Sequence, residues 1–262
     1  WIPRVLGSMS LRPGMKYLGS TASDATAKMI PFIFATNDTA LLEMTASLMR
    51  VWDSDALVTR VSHSSTIANG TFASDISSWN DNDEAGAVVA WISAGLVGFT
   101  GTGTKYSRLD QTISVAAGDY GKTMGIRIVV DRGPIVLRIG TTSSDDSYMR
   151  ETTLLTGTHS IAIVPVGNFV IRFQSRLVRL VRLASCTIEA AGTLTLPTPW
   201  AAADLSGLRR DQSGDILFVA ATKSTDAIGY QQRRIERRAN NSWSVCLYQA
   251  DDGPFRAVNT ST

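Results

Sequence analysis

The chain has little of what most enzymes use. Two histidines in 262 residues, His63 and His159, are the only side chains whose ordinary pKa suits proton transfer near neutrality. Neither stands in a Ser-His-Asp, nucleophile-base or metal-ligand spacing. A non-enzymatic protein is therefore expected, with His159 in Thr156-Gly-Thr-His-Ser160 a turn residue leading into a strand. Two cysteines, Cys186 and Cys246, exclude a disulfide framework. Each reads as a small buried hydrophobe, and assembly in a reducing cytosol follows. No apolar run approaches the ~18 residues that cross a bilayer; stretches such as Ile126-Arg-Ile-Val-Val130 are short and broken by charge, so no membrane span is expected. Charge of one sign is missing too. Lys and Arg number 25 against 23 Asp and Glu, a net charge of +2, so contact with nucleic acid must come from local patches. Without an initiator Met or a signal-peptide pattern at Trp1, the sequence reads as a trimmed piece of something longer.

Helical periodicity is nearly absent, and what replaces it is a succession of short apolar or alternating runs bounded by Gly, Asp, Asn, Ser and Thr. The pattern is all-β. Between residues 67 and 191 the runs Ala87–Ile92, Gln111–Val115, Met124–Val130, Ile135–Ile139, Ser160–Val164, Phe169–Phe173 and Leu177–Leu183 predict the strands of a β-sandwich or jelly-roll. Turn-forming separators such as Asp131-Arg-Gly-Pro134 and Val166-Gly-Asn168 divide them. Residues 1–66 carry a three-strand meander (Met29–Phe34, Ala40–Met44, Leu48–Trp52), and residues 192–262 carry runs at Leu194–Trp200, Asp215–Ala220, Arg233–Arg238 and Ser242–Cys246. A compact block between two half-patterns suggests a sandwich of residues 67–191 inserted into a β-rich platform made of 1–66 and 192–262.

Acidic clusters at Asp81-Asn-Asp-Glu84, Asp145-Asp146 and Asp251-Asp252 lack calcium-loop spacing and read as solvated loops, so neither a metal site nor a cofactor is expected. Gly98-Phe-Thr-Gly-Thr-Gly103 lacks the order and context of a phosphate loop and reads as a glycine-rich link between strands. Arg176, Arg179 and Arg182 recur every three residues, which a bulged strand would reconcile. Arg209, Arg210, Arg233, Arg234, Arg237 and Arg238 are placed either to face a phosphate backbone or to pair with acidic partners across subunits, and the near-zero net charge favours a solvated or subunit-interface role. Among the aromatics, Phe72, Trp79 and Trp91 fall in the first strands of the inserted block. Trp79 and Tyr148 are the candidates for stacking on a sugar ring, against burial in a sandwich core.

Two resemblances accompany this pattern. Trp1-Ile-Pro-Arg4, Leu11-Arg-Pro-Gly-Met-Lys-Tyr-Leu-Gly19, Met29–Ala35 and Ala40–Met44 resemble, in order, the N-terminal region of the tail nozzle (tail tubular) proteins of short-tailed bacteriophages. Gln212-Ser-Gly-Asp-Ile-Leu-Phe218, Arg233–Arg238, Trp243 and Asp252-Gly-Pro-Phe255 resemble the segments that follow in that family. The block opening Ile67-Ala-Asn-Gly-Thr-Phe72, then Ser78-Trp79, is similar to carbohydrate-binding-module jelly-rolls. The chain is much shorter than a full nozzle, and Asn259–Thr262 reads as a cut.

These resemblances imply a structural protein of the virion tail, assembled in the host cytoplasm. It would form a homo-oligomeric, hexameric ring between the adaptor and portal on one side and fibre or spike proteins on the other. The platform's C-terminal part would enter a propeller-like region, and DNA would pass through the ring without sequence-specific contact. The jelly-roll would face outward and meet a host surface polysaccharide. A carbohydrate-binding adhesin without a conduit role is the alternative. A glycan-degrading enzyme using Asp81, Asp83 and Glu84 is a third reading, which needs two carboxylates on opposing walls of a cleft.

Overall fold

The structure, a computed structural model, describes residues 14–226 and 228–249, together with the backbone of a two-residue ladder pairing Ile2–Pro3 with Met9–Ser10. The motifs Trp1-Ile-Pro-Arg4, Leu11-Arg-Pro13, Asp251-Asp252, Asp252–Phe255 and Asn259–Thr262 lie partly or wholly outside the described residues. The fold is all-β, built of antiparallel sheets, and among the described residues no helix reaches seven residues.

The period-two pattern explains the elements. In Met124–Arg132 the side chains of Met124, Ile126, Ile128 and Val130 are buried, while Arg127 and Val129 point to the other face. In Lys28–Ala35, Ile30 and Phe32 turn inward while Met29 and Ile33 stay exposed. One nine-stranded sheet runs in the order Arg209–Ser213, Ile216–Ala220, Arg233–Ala239, Ser242–Leu247, Gly157–Ile163, Met124–Arg132, Val181–Ile188, Leu96–Thr100 and Val88–Ser93. A five-stranded sheet of Met149–Leu154, Ile135–Gly140, Phe169–Ser175, Ser107–Ile113 and Asn80–Asp81 faces its second half, giving a β-sandwich. A third sheet, with Thr195–Pro197, Leu48–Asp53, Asp38–Thr45 and Lys28–Ala35 in that order, faces its first half.

Two hydrophobic cores result. The first joins residues between Ile67 and Ile188, including Phe72, Phe99, Phe169 and Phe173. The second joins Ile30–Val51 with Leu194–Val245 and holds Phe32 edge-on to Trp243, ring centres 5.0 Å apart. Burying each such side chain contributes ~1.5–3 kcal/mol. Strand register puts the two cores on opposite faces of the long sheet. Ile128 stands opposite His159, His159 opposite Ser244 and Ser244 opposite Glu236, which defines one face. The first core uses that face through Ile126, Ile128 and Ile161, whereas the second uses the other through Leu217, Ile235, Trp243 and Val245. The chain leaves the second core and returns to it side by side, because Thr59–Arg60 pairs with Gly192–Thr193.

Three local expectations are corrected. Residues Arg176–Leu180 form a loop, and the strand begins at Val181. The carbonyls of Arg176 and Leu177 accept the N–H groups of Gly103 and Gly101 at 2.7 and 2.8 Å, which turns the chain away from any ladder. Gly98, Phe99 and Thr100 belong to the strand Leu96–Thr100, so the glycine-rich link shrinks to the residues that follow. Phe72 and Trp79 lie in turns rather than strands, although both are buried.

Candidate functional site

Trp79, expected as a sugar-stacking platform, is only 6% exposed. Its ring packs 5.5 Å from Phe72 and 6.0 Å from Phe173, and its indole N–H donates to the Asn69 carbonyl at 3.3 Å, so neither face is open to a sugar. Tyr148 packs edge-on to Phe169 at 6.1 Å, and its hydroxyl accepts the Val166 N–H at 3.2 Å. Phe169 and Phe173 are four residues apart on one strand, so these contacts sit ~13 Å from each other. The fold does not bring Trp79 and Tyr148 into one site. The second expected strand aromatic, Trp91, lies on Val88–Ser93 and donates its indole N–H to the Phe72 carbonyl at 2.9 Å.

The six arginines divide by partner. Arg237 is bonded to both oxygens of Asp38 at 2.7 Å and to Asp215 at 3.1 Å, and lies 5.1 Å over the ring of Phe34. Arg234 and Arg238 clasp the two oxygens of Glu236 at 2.8 and 2.7 Å. Arg210 donates to the Pro31 carbonyl at 3.1 Å beside Gln212, whose amide meets both the N–H and the carbonyl of Ile33 at 3.2 and 2.8 Å. These bonds close the edge of Lys28–Ala35 against Arg209–Ser213, and Pro31 itself offers no N–H there. Among the described residues, Arg209 and Arg233 make no ion pair. They stand on a cleft of about 440 Å³ at the Arg209–Ser213 end of the nine-stranded sheet, where Phe218 meets Tyr248 edge-on at 5.5 Å.

His159 lies inside the strand Gly157–Ile163 rather than in a turn before it, and among the described residues it forms with Ser244 the one close histidine–hydroxyl pair, at 2.9 Å, both side chains fully buried. Nε2 donates to the Leu155 carbonyl at 2.8 Å, which leaves Nδ1 to accept the Ser244 O–H, while Arg238 donates to Ser244 Oγ at 2.5 Å. A neutral, Nε2-protonated imidazole satisfies every bond. Burial first, and the Arg238 charge second, push its pKa down to about 3. The pair cannot meet a substrate; its role is to tie Gly157–Ile163 to Ser242–Leu247.

A buried ion cluster that sequence reasoning missed closes the junction between the cores. Arg60 Nε donates to Glu189 Oε2 at 2.5 Å, and its Nη2 donates to Ser160 Oγ at 2.6 Å and to the Asn241 carbonyl at 2.8 Å. Arg127 Nη2 meets Glu189 Oε1 at 2.7 Å, and Ser160 Oγ donates to Oε2 at 2.7 Å. Burial pushes the Glu189 carboxyl up, but Ser160, Arg60 and Arg127 outweigh it and hold the pKa below the usual range. Gly125 lets the cluster form, since a Cβ there would fall on Arg60 Nε and Glu189 Oε2. The only local sequence sign was Arg127 interrupting an apolar run; its partners are more than 60 residues away.

His63 Nε2 donates to the Thr123 carbonyl at 3.0 Å, and the ring lies 3.6 Å from Asp119, whose carboxylate receives the Ser64 and Ser65 N–H and hydroxyl groups and is held down to about 2, chiefly by the Ser65 hydroxyl. Asp83 accepts the Val89 N–H at 2.6 Å and the Arg108 N–H at 2.7 Å, and burial foremost raises its pKa. Glu84 accepts the Tyr106 N–H and pairs with Arg108 at 2.8 Å. These acids pin a loop to the sheet rather than face each other across a cleft. Among the described residues, no three His, Cys, Asp or Glu side chains gather as a metal site. Compared with known proteins, the chain matches no family model and no curated protein aligns with it.

Proposed function

We propose that the chain is a structural, non-enzymatic component of a bacteriophage tail, a nozzle or hub ring forming part of the DNA-ejection conduit, with residues 67–191 as an inserted, outward-facing sandwich. The observation that carries this reading is the platform's surface. Its buried charges are consumed within the chain, while Met29, Ile33 and Leu41 leave an apolar outer face on the sheet Lys28–Asp53, as an assembly protein requires. The ordered flank motifs and the paired entry and exit of the inserted segment support it further.

On this reading four of the six arginines hold the platform together, and passing DNA meets chiefly Arg209 and Arg233. Electron cryo-microscopy of the particle, classified for rotational symmetry, tests the proposal. A six-fold ring on the tail axis with the sandwich at its periphery is the expected result. A chain away from any axial channel would overturn it.

A further inference from the structure

Among the described residues two exposed apolar surfaces stand unpartnered, and they are unlike. The first is a groove of about 560 Å³ on the outer face of the sheet Lys28–Asp53, lined by Leu18, Met29, Ile33, Leu41 and Trp52, with Ser54 and Asp55 at its rim. Ile33 is 59% exposed. The second lies at the far end of the long sheet, where Val178, 67% exposed, and Leu180 stand in the loop after Ser175. Leu180 and Ile92 close together over Gly98, and Val178 reaches over Gly103, so one patch joins the loop to the strand Val88–Ser93. Exposed Arg176 and Arg179 flank it. Five strand spacings, roughly 24 Å, separate this end of the sheet from the ladder beside the second core.

Strand addition is hindered at the sheet edges beside both surfaces. Asp83 caps the outward Val89 N–H, and Pro31 with Gln212 closes the edge at Ile33. Contact by side chains is therefore favoured. The groove carries an acid at its rim and the patch carries bases, so the two complement each other in charge as well as in apolar character. They cannot meet within one chain. Unlike surfaces on one subunit pair head to tail, and such contacts give a ring where the rotation between copies closes and a filament where it does not.

We infer that the Arg176–Leu180 loop and Ile92 of one copy seat in the Leu18–Ile33–Leu41 groove of the next, making the subunit contact of a ring; this rests on the assembly reading above. Ile33→Glu destroys the groove and Val178→Glu the patch, and neither position is part of a core. Sedimentation velocity should show the wild-type chain as an oligomer and each variant as a folded monomer by circular dichroism. An equimolar mixture should yield a dimer and nothing larger, because one intact groove then meets one intact patch. Arg176→Glu should weaken assembly about tenfold or more, and Asp55→Lys should restore it. Variants that assemble like the wild type refute these surfaces while leaving the ring reading in place. A mixture that stays monomeric refutes the head-to-tail pairing, and a wild-type chain that is monomeric at every concentration refutes both.

Discussion

Replacing His159 by glutamine should remove an acid dependence of stability that the wild-type chain carries well above the carboxylate range. The imidazole is fully buried, and its pKa in the fold is about 3 against 6.5 in the unfolded chain. Above pH 6.5 both states hold it neutral, and its protonation contributes nothing to the pH dependence. Between pH 6.5 and about 3 the unfolded state binds one more proton than the folded state, so stability falls as pH falls through that window. The slope is about 1.4 kcal/mol per pH unit, or about 2–3 kcal/mol between pH 6.5 and 4.5. Carboxylates with depressed pKa values, such as Glu189 and Glu43, lose their contribution below 4.5, their ordinary value, and Asp83, raised by burial, acts in the opposite sense in wild type and variant alike, so the difference between the two curves reads the histidine. Urea titrations at pH 7.5, 6.5, 5.5 and 4.5, with the m-value checked for constancy, read the slope directly. In His159→Gln the Ser244 hydroxyl loses its acceptor, which costs about 1–3 kcal/mol at every pH, but the fall in stability from pH 6.5 to 4.5 should be lost. A wild-type curve flat over that interval, or a variant retaining the slope, would refute the assignment of a neutral, tied imidazole.

Glu189→Gln leaves the buried Arg60 and the half-buried Arg127 with their charges uncompensated, and chemical denaturation should show a loss of about 3–5 kcal/mol, chiefly from Arg60. Trp79→Ala should cost about 3–5 kcal/mol of stability by opening a cavity against Phe72 and Phe173; an unchanged melting temperature would contradict its burial. Burial pushes both thiols up, Cys246 to about 12, so a disulfide reagent at pH 8 should label neither cysteine until the chain is unfolded.

The alternation of apolar residues made the strands legible, because burial on one face imposes a period of two whatever the tertiary partners. It located Met124–Arg132, Ile135–Gly140, Phe169–Ser175 and the three-strand meander to within a few residues. It failed where backbone partners override the pattern. At Arg176–Leu180 the Gly101–Gly103 loop claims the carbonyls, and at Met149–Leu154 a polar edge strand leaves no hydrophobic signature. Side-chain destinations were less legible still. Trp79 follows an Asn-Gly turn whether its ring faces a sugar or a core, and only the three-dimensional placement of Phe173 decides between them. The Arg60–Glu189–Arg127 cluster draws on segments more than 60 residues apart, a separation no local pattern reports.

One sheet covered on opposite sides at its two ends has a mechanical consequence. A load applied to the sandwich around the first core reaches the second core through the ladder between Gly157–Ile163 and Ser242–Leu247, reinforced by the His159–Ser244 bond and the Arg60 cluster. Bending the sheet toward either side compresses one core while opening the other, so neither end yields without resistance from its counterpart. The molecule is thus braced like a lever clamped from above at one end and from below at the other, and a push on its periphery is felt at its root.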